Sequence, residues 1–223
     1  IGLSSFTITS DFASAYSWLS IVQFIFFICI FVIVSADDPG MHSSQNEQDN
    51  RFYAKFAKIP MLEPSDSQEA KDFVKLAYEL SEKWQTPVFF RMTTRVCHSK
   101  SIVVPGERVE VEPVIYEKQI QRYVATPANA RPMRARVEQR LKEMEAYSNT
   151  TPLNAAEYNG SEIGVISSGV AYQYAREVFG EDASYLKLGF THPMPMEKIR
   201  EFAGKVKKLY VVEELEPYIE EHL

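Results

Sequence analysis

Phe31-Val32-Ile33-Val34-Ser35-Ala36-Asp37-Asp38-Pro39-Gly40-Met41-His42-Ser43-Ser44-Gln45-Asn46-Glu47-Gln48-Asp49-Asn50-Arg51 sets an unbroken apolar run directly against a dense polar one. Strands covered on both faces read as continuous apolar runs, so Phe31 to Ser35 is expected to be a buried parallel strand with the acidic loop leaving its carboxyl end. The fifteen positions from Asp37 to Arg51 hold four carboxylates (Asp37, Asp38, Glu47, Asp49), His42, two serines, two glutamines and two asparagines. Such a hydrogen-bonding set directly after a buried strand is a candidate binding loop.

The apolar character extends upstream. Ala15 to Val34 reaches the roughly 20 residues that span a bilayer as a helix, and Val34-Ser35-Ala36 resembles a signal-peptidase site. The first 50 residues contain no Lys or Arg, so neither a basic leader nor a positive-inside flank exists. Membrane association through residues 15–34 is therefore disfavoured, and residues 1–30 stay an unassigned apolar segment.

Downstream, Ser65 or Asp66 can cap a helix whose first turn carries Glu69 and whose apolar positions are Ala70, Phe73, Val74, Ala77 and Leu80. Thr86-Pro87 ends it. Val88 to Thr93 then reads as a strand, followed by a polar loop from Thr94 to Ser101. Strand, loop, helix, strand, loop is a βαβ-type unit, whose loops at the carboxyl ends of the strands are the usual place for ligands. Both polar segments fall at such ends, which argues that they face one site.

Residues 102–160 read as a connector with a charged, solvated helix from Arg134 to Tyr147. From 161 a second α/β unit follows. Ile163 to Ser167, Tyr185 to Gly189 and Lys208 to Glu213 are expected strands, Ala171 to Phe179 and Pro195 to Lys205 expected helices, and Glu216-Pro217 the start of another. The alternation predicts a small parallel sheet with helices on its faces. Ser167-Ser168-Gly169 is taken as a structural turn rather than a phosphate site.

With 223 residues, 45% apolar content and a formal charge of −6, the chain is expected to fold around packed cores and gives no electrostatic reason to bind nucleic acid. Its two cysteines, Cys29 and Cys97, have no metal-ligand or disulfide-framework spacing and agree with a reducing cytoplasm.

Within the loops, His42 could serve as general acid or base and Arg51 could clamp a carboxylate through its two-pronged guanidinium. Ser43, His42 and Asp49 do not make a hydrolase triad, because no strained GxSxG elbow is present. The carboxylates match no recognised calcium or magnesium loop. Arg91, Thr93, Thr94, Arg95, His98 and Ser99 suit an anionic ligand or the partner carboxylates of the first loop, while Cys97 reads as a buried or incidental thiol.

These two loops, together with Gly164-Val165-Ile166-Ser167-Ser168-Gly169-Val170-Ala171-Tyr172, Leu186-Lys187-Leu188-Gly189-Phe190-Thr191-His192-Pro193-Met194-Pro195 and Val211-Val212-Glu213-Glu214-Leu215-Glu216-Pro217, resemble the thiamine-diphosphate-dependent 2-oxoacid:ferredoxin oxidoreductases, most closely the indolepyruvate-type alpha subunit. The resemblance runs from about Val32 to Leu223. It implies an α/β fold in which residues 31–101 are the carboxyl-terminal part of a pyrimidine-binding-like domain, 102–160 the connector, and 161–223 a truncated transketolase C-terminal-like domain.

It also implies oxidative decarboxylation of indolepyruvate or related arylpyruvates to acyl-CoA in the cytoplasm. Electrons would pass to ferredoxin, with thiamine diphosphate, magnesium and iron-sulfur clusters as cofactors and a smaller beta subunit as partner. Carried over residue by residue, His42, Ser43, Ser44, Gln45, Asn46, Glu47, Asp49 and Arg51 would line the cofactor and substrate end, and Thr93, Thr94, Arg95 and His98 the companion loop.

The family's opening domain, with its cofactor-activating glutamate, has no counterpart before Phe31. Its Gly-Asp-Gly diphosphate-magnesium domain and its cysteine-rich domain have none after Leu223. The chain is accordingly expected to be an alpha-subunit fragment, inactive alone, with residues 1–30 a frameshift, fusion or gene-prediction error. The other reading is a noncatalytic membrane-tethered binding or assembly protein on the same scaffold.

Overall fold

The computed structural model describes residues 31–110 and 117–223. The unassigned segment 1–30, most of the apolar run and Cys29 lie outside the described residues. The last residues of that run, Val32 to Val34, are extended in strand β1 (Val32–Asp37). No described helix is long and apolar enough to cross a membrane.

After β1 and its loop come helix α1 (Arg51–Ala57), the short strand β2 (Met61–Leu62), helix α2 (Ser67–Trp84) and strand β3 (Val88–Thr93). The helix expected from the periodicity forms as read. Asp66 caps it by accepting the Glu69 backbone N–H at 2.9 Å, an orphan donor of the first turn, and Glu69 turns back to take the N–H of Ser65, the residue before the cap, at 2.9 Å. Phe73, Ala77, Leu80 and Trp84 form its buried stripe.

The βαβ expectation holds. β1 and β3 pair in parallel from Val32↔Val88 to Asp37↔Thr93. The chain from Thr94, expected as an open polar loop, instead begins with a one-turn helix, α3 (Thr94–His98). The connector holds α4 (Ile120–Tyr123) and α5 (Pro127–Thr150), far longer than the expected Arg134–Tyr147. Its second half is not merely solvated. Met144 and Ser148 are buried, and Tyr147 packs edge-on against Trp84 and Phe190.

The second unit contains β4 (Asn154–Glu157), β5 (Ile163–Ser168), α6 (Ala171–Phe179), β6 (Ser184–Leu188), β7 (Phe190–His192), α7 (Met196–Ala203) and β8 (Lys208–Val212). Its sheet has the order β4-β6-β5-β8. Three strands are parallel as expected, but β4 runs antiparallel to β6, so the sheet is mixed. The expected helix at Glu216 is a turn followed by a 3-10 turn at Glu220–His222. Pro217 cannot supply a helical N–H and disfavours helix at the residue before it.

The first sheet has the order β1-β3-β2-β7, so a strand from the second unit completes it, pairing antiparallel with β2. The crossing is tight at Gly189, where an added Cβ would stand 2.9 Å from the Leu153 carbonyl and 3.0 Å from the Phe73 ring. Buried Asn154 pins it. Its amide oxygen accepts the N–H groups of Gly189 and Phe190, and its nitrogen donates to the carbonyls of Ser148 and Phe190. One apolar core spans both units, joining Ile33, Met61 and Phe89 to Ile166, Leu186 and Phe202.

Candidate active site at the facing ends of the two sheets

Side chains alternate along a strand, so Ile33, Ser35 and Asp37 share one face of β1, and Phe89, Arg91 and Thr93 share the matching face of β3. Ile33 and Phe89 belong to the core that packs on the second unit. Towards the carboxyl ends this face turns from apolar to polar without leaving the interior. Ser35, Asp37, Glu63, Arg91 and Thr93 are all at most 3% exposed.

Arg91 organises this layer. Its Nε donates to Asp37 at 2.8 Å and its Nη1 to Glu63 at 2.6 Å. Asp37 also accepts the Asn50 N–H, and the Asn50 side chain donates to Ser35. Burial pushes the Asp37 carboxyl up, with Arg91 opposing it. Arg91 itself is held charged: burial works against its charge, but Glu63 and Asp37 outweigh it. Asp37 Oδ1, Glu63 Oε2, Asn50 Oδ1, Arg91 Nη2 and Thr93 Oγ1 are buried with no hydrogen-bond partner among the described residues. Donors and acceptors of both signs are thus left over at one point in the fold.

Arg51 forms the second node and is fully buried. Its guanidinium donates to Asp49 through Nε and Nη2, to Glu213 at 2.8 Å, and to the carbonyls of Glu214 and Glu216 at 2.8 and 2.7 Å. The Tyr218 ring lies 5.1 Å from its Cζ. The bidentate clamp expected of Arg51 is therefore made, but on the protein's own carboxylates. It ties the loop after β1 to the segment after β8. Tyr218 in turn reaches His192 Nδ1 at 3.2 Å, and burial drives the His192 imidazole down to about 4.

The loop is shaped by Asp38. Its carboxylate accepts the N–H groups of Ser43 and Ser44, the Ser44 hydroxyl and, across from the other loop, the Thr94 hydroxyl at 2.5 Å. Hydrogen bonds from Thr94 and the serine backbone hold Asp38 far below the ordinary carboxylate range. The Gly40 N–H donates to Glu47 at 2.5 Å, closing the turn in which Gly40 and Met41 both have positive φ.

Of the residues singled out from sequence, Ser43, Ser44 and Thr94 are brought together on Asp38, while Asp49 and Arg51 form the buried node. Asn46 is half-buried and its carbonyl lies 2.9 Å from the Ser44 hydroxyl. Thr93 is buried in the Arg91 layer. His42, Gln45, Glu47, Arg95 and His98 are exposed around the rim. Cys97 is a free thiol, and its pKa is raised by burial and by the Asp37 charge, the opposite of activation.

The carboxyl ends of the second sheet meet this surface. Gln173, at the start of α6, reaches Ser65 at 3.3 Å, and a Cβ on Gly169 would stand 3.9 Å from the Pro64 carbonyl. Glu63, Glu213, His192 and Tyr218 were not selected from the sequence. His192 and Glu213 fell within the motifs that carry the resemblance without being singled out, and Glu63 showed as a charge wedged between Leu62 and Pro64 in an apolar stretch. Among the described residues no group of three or more His, Cys, Asp or Glu side chains could hold a metal ion.

No protein-family model matches the chain. The resemblance drawn from the loops is met by curated relatives. The chain is 41% identical over 198 residues to "Indolepyruvate oxidoreductase subunit IorA" of Archaeoglobus fulgidus, covering 86% of this chain and 32% of that protein. The protein of the same name from Methanothermobacter thermautotrophicus is 44% identical over 196 residues, covering 85% and 32%. The chain thus spans about a third of the length of the curated relatives it matches. In fold it is similar to a 2-oxoglutarate:ferredoxin oxidoreductase from Magnetococcus marinus, with a TM-score of 0.63 at 15% identity, over 94% of this chain and 46% of that one.

Proposed function

We propose that this chain, a counterpart of about a third of an indolepyruvate oxidoreductase IorA-type subunit, contributes one wall of an active site that oxidatively decarboxylates indolepyruvate or a related arylpyruvate to acyl-CoA. The observation that carries the reading is the polar surface at the facing ends of the two sheets, where two loops are locked to each other through Asp38 and Thr94. Residues 31–101 then correspond to the end of a pyrimidine-binding domain and 161–223 to a transketolase C-terminal-like domain. Ferredoxin as electron acceptor, coenzyme A, a beta subunit and the cytoplasm complete the proposal.

The fit to the implied cofactors divides sharply. The diphosphate-magnesium end and the iron-sulfur clusters are assigned to other parts of the complete assembly: among the described residues no group of three or more His, Cys, Asp or Glu side chains could hold a metal ion, and Cys97 is the one described cysteine. The buried orphan atoms around Arg91 and Asp37 and the exposed rim do suit a polar organic group. Thiamine diphosphate supplies the carbanion chemistry when bound, and the protein supplies orientation and electrostatics.

In this assignment His42, Ser43, Ser44, Gln45, Asn46, Glu47, Thr94, Arg95 and His98 border the ligand. Thr93 faces it from the buried layer. Asp49 and Arg51 act behind them by fixing where the loop sits. Preorganisation of this kind removes the need to order the loop during each turnover.

The test is indolepyruvate-dependent reduction of a viologen dye. The 223-residue chain alone is expected to show none, and a subunit of the relatives' length carrying this segment, joined to its beta partner, is expected to turn over. Turnover by the chain alone, or its absence from the complete assembly, would overturn the proposal.

A further inference from the structure

α2 runs back from the carboxyl ends of the strands, so its last turn lies at the opposite edge of the first sheet from the loops. There the ends of α1 and α2 meet α4 and α5 around a cleft of about 590 Å³. Phe56, Trp84, Met133 and Val137 give it an apolar lining. Lys58, Lys83, Arg122, Arg134, Arg136 and Arg140 bring six cations to it, against Glu143 as the carboxylate among its lining residues. That concentration stands out in a chain whose net charge is −6.

Part of this charge is neutralised within the protein, since Glu138 pairs with Lys58 at 2.6 Å and with Arg134 at 2.5 Å. The rest is not. Arg140 reaches only the Trp84 and Gln85 carbonyls, both at 3.4 Å, and its Nε is buried with no hydrogen-bond partner. Arg136 has no ion pair among the described residues, and Lys83 lies over the Trp84 and Tyr147 rings at 4.9 and 4.8 Å.

A guanidinium drawn out of water without a carboxylate is costly, and an anion restores the balance. Arginine forks suit planar carboxylates and phosphates, and the cleft volume falls within the roughly 300–1,000 Å³ of small-molecule sites. We propose that this cleft binds a small aromatic anion, with its ring against Phe56 and Met133 and its carboxylate or phosphate on Arg140 and Arg136. The proposal stands apart from the oxidoreductase reading, because it rests on residues at the other edge of the sheet.

Calorimetric titration of the 223-residue chain with 1-naphthyl phosphate and with 1-naphthoate tests it, using inorganic phosphate and uncharged 1-naphthol as references. The tighter of the two naphthyl anions identifies the head group. Expected is saturable one-site binding, about tenfold or more tighter than either reference, weakening as salt rises through the range that screens exposed charge. Arg140→Gln should weaken it about tenfold or more, and Arg136→Gln, on an exposed residue that does not threaten the fold, should weaken it severalfold. Arg108→Gln, a remote exposed arginine, should leave it unchanged. Non-saturable binding, equal binding by inorganic phosphate, or equal binding in both cleft variants would overturn the proposal. Displacement of the naphthyl anion by hexaglutamate with higher affinity would overturn it too, pointing to an acidic peptide instead.

Discussion

Replacing Arg51 with alanine should destabilise the chain more than any other single change in the loop. The Asp49 and Glu213 side chains that it neutralises are only 1% and 9% exposed, so removing the guanidinium leaves two carboxylates without their counter-charge. The Glu214 and Glu216 carbonyls lose their donor, and the Tyr218 ring loses its cation. Breaking a buried pair in this way costs about 3–5 kcal/mol, a large share of the roughly 5–15 kcal/mol that stabilises a domain. For a urea m-value of about 2 kcal/mol/M the unfolding midpoint should fall by roughly 2 M with m unchanged. Arg51→Lys keeps the charge but not the fork, and should fall between alanine and wild type. A loss under about 1 kcal/mol for Arg51→Ala would refute the claim that this side chain fastens the loop to the segment after β8.

Three further outcomes are expected. His192 is held down to about 4 from its ordinary 6.5, so the unfolded chain takes up the proton first as pH falls. The stability concerned is present above pH 6.5 and lost as pH falls towards 4, about 3 kcal/mol in all, and pH-dependent denaturation of His192→Gln should lack that step. Gly189→Ala should cost about 1–3 kcal/mol in thermal unfolding, because the new Cβ meets the Leu153 carbonyl and Phe73 ring on rigid elements. Thr94→Val removes the hydroxyl that joins the two loops. It should leave the unfolding free energy within about 1 kcal/mol of wild type while lowering turnover of the complete assembly severalfold, as measured by dye reduction.

Helix α2 and strands β1 and β3 were legible because their burial writes a regular apolar pattern, whereas the longest helix, α5, buries few side chains and was read only from Arg134 to Tyr147. Phe73, Ala77, Leu80 and Trp84 mark one helix stripe, and Val88 to Phe90 could only be a covered strand. β2, β4 and β7 were not, since two to four residues carry no period, and β7 joins the first sheet through a pairing set by the tertiary fold. The loop residues were visible from their chemistry, but their division into a buried node and an exposed rim was not. Arg51 and Arg95 look alike in sequence, yet one is sealed beneath Tyr218 and the other exposed at the start of α3. Glu213 and Tyr218 lie more than 160 residues from Arg51, and only the facing of the two sheets brings them to it.

The most direct test of the proposed site is the kcat/KM for the arylpyruvate of a complete assembly carrying His42→Ala and His98→Ala together. Both side chains are exposed on the rim, and among the described residues neither takes part in a side-chain hydrogen bond, so the fold should be unaffected and the thermal midpoint unchanged. If the facing ends of the two sheets border the substrate, kcat/KM should fall by about tenfold or more, a loss of roughly 1.4 kcal/mol of transition-state stabilisation. A wild-type kcat/KM in the double variant would contradict the placement of the active site at these loops.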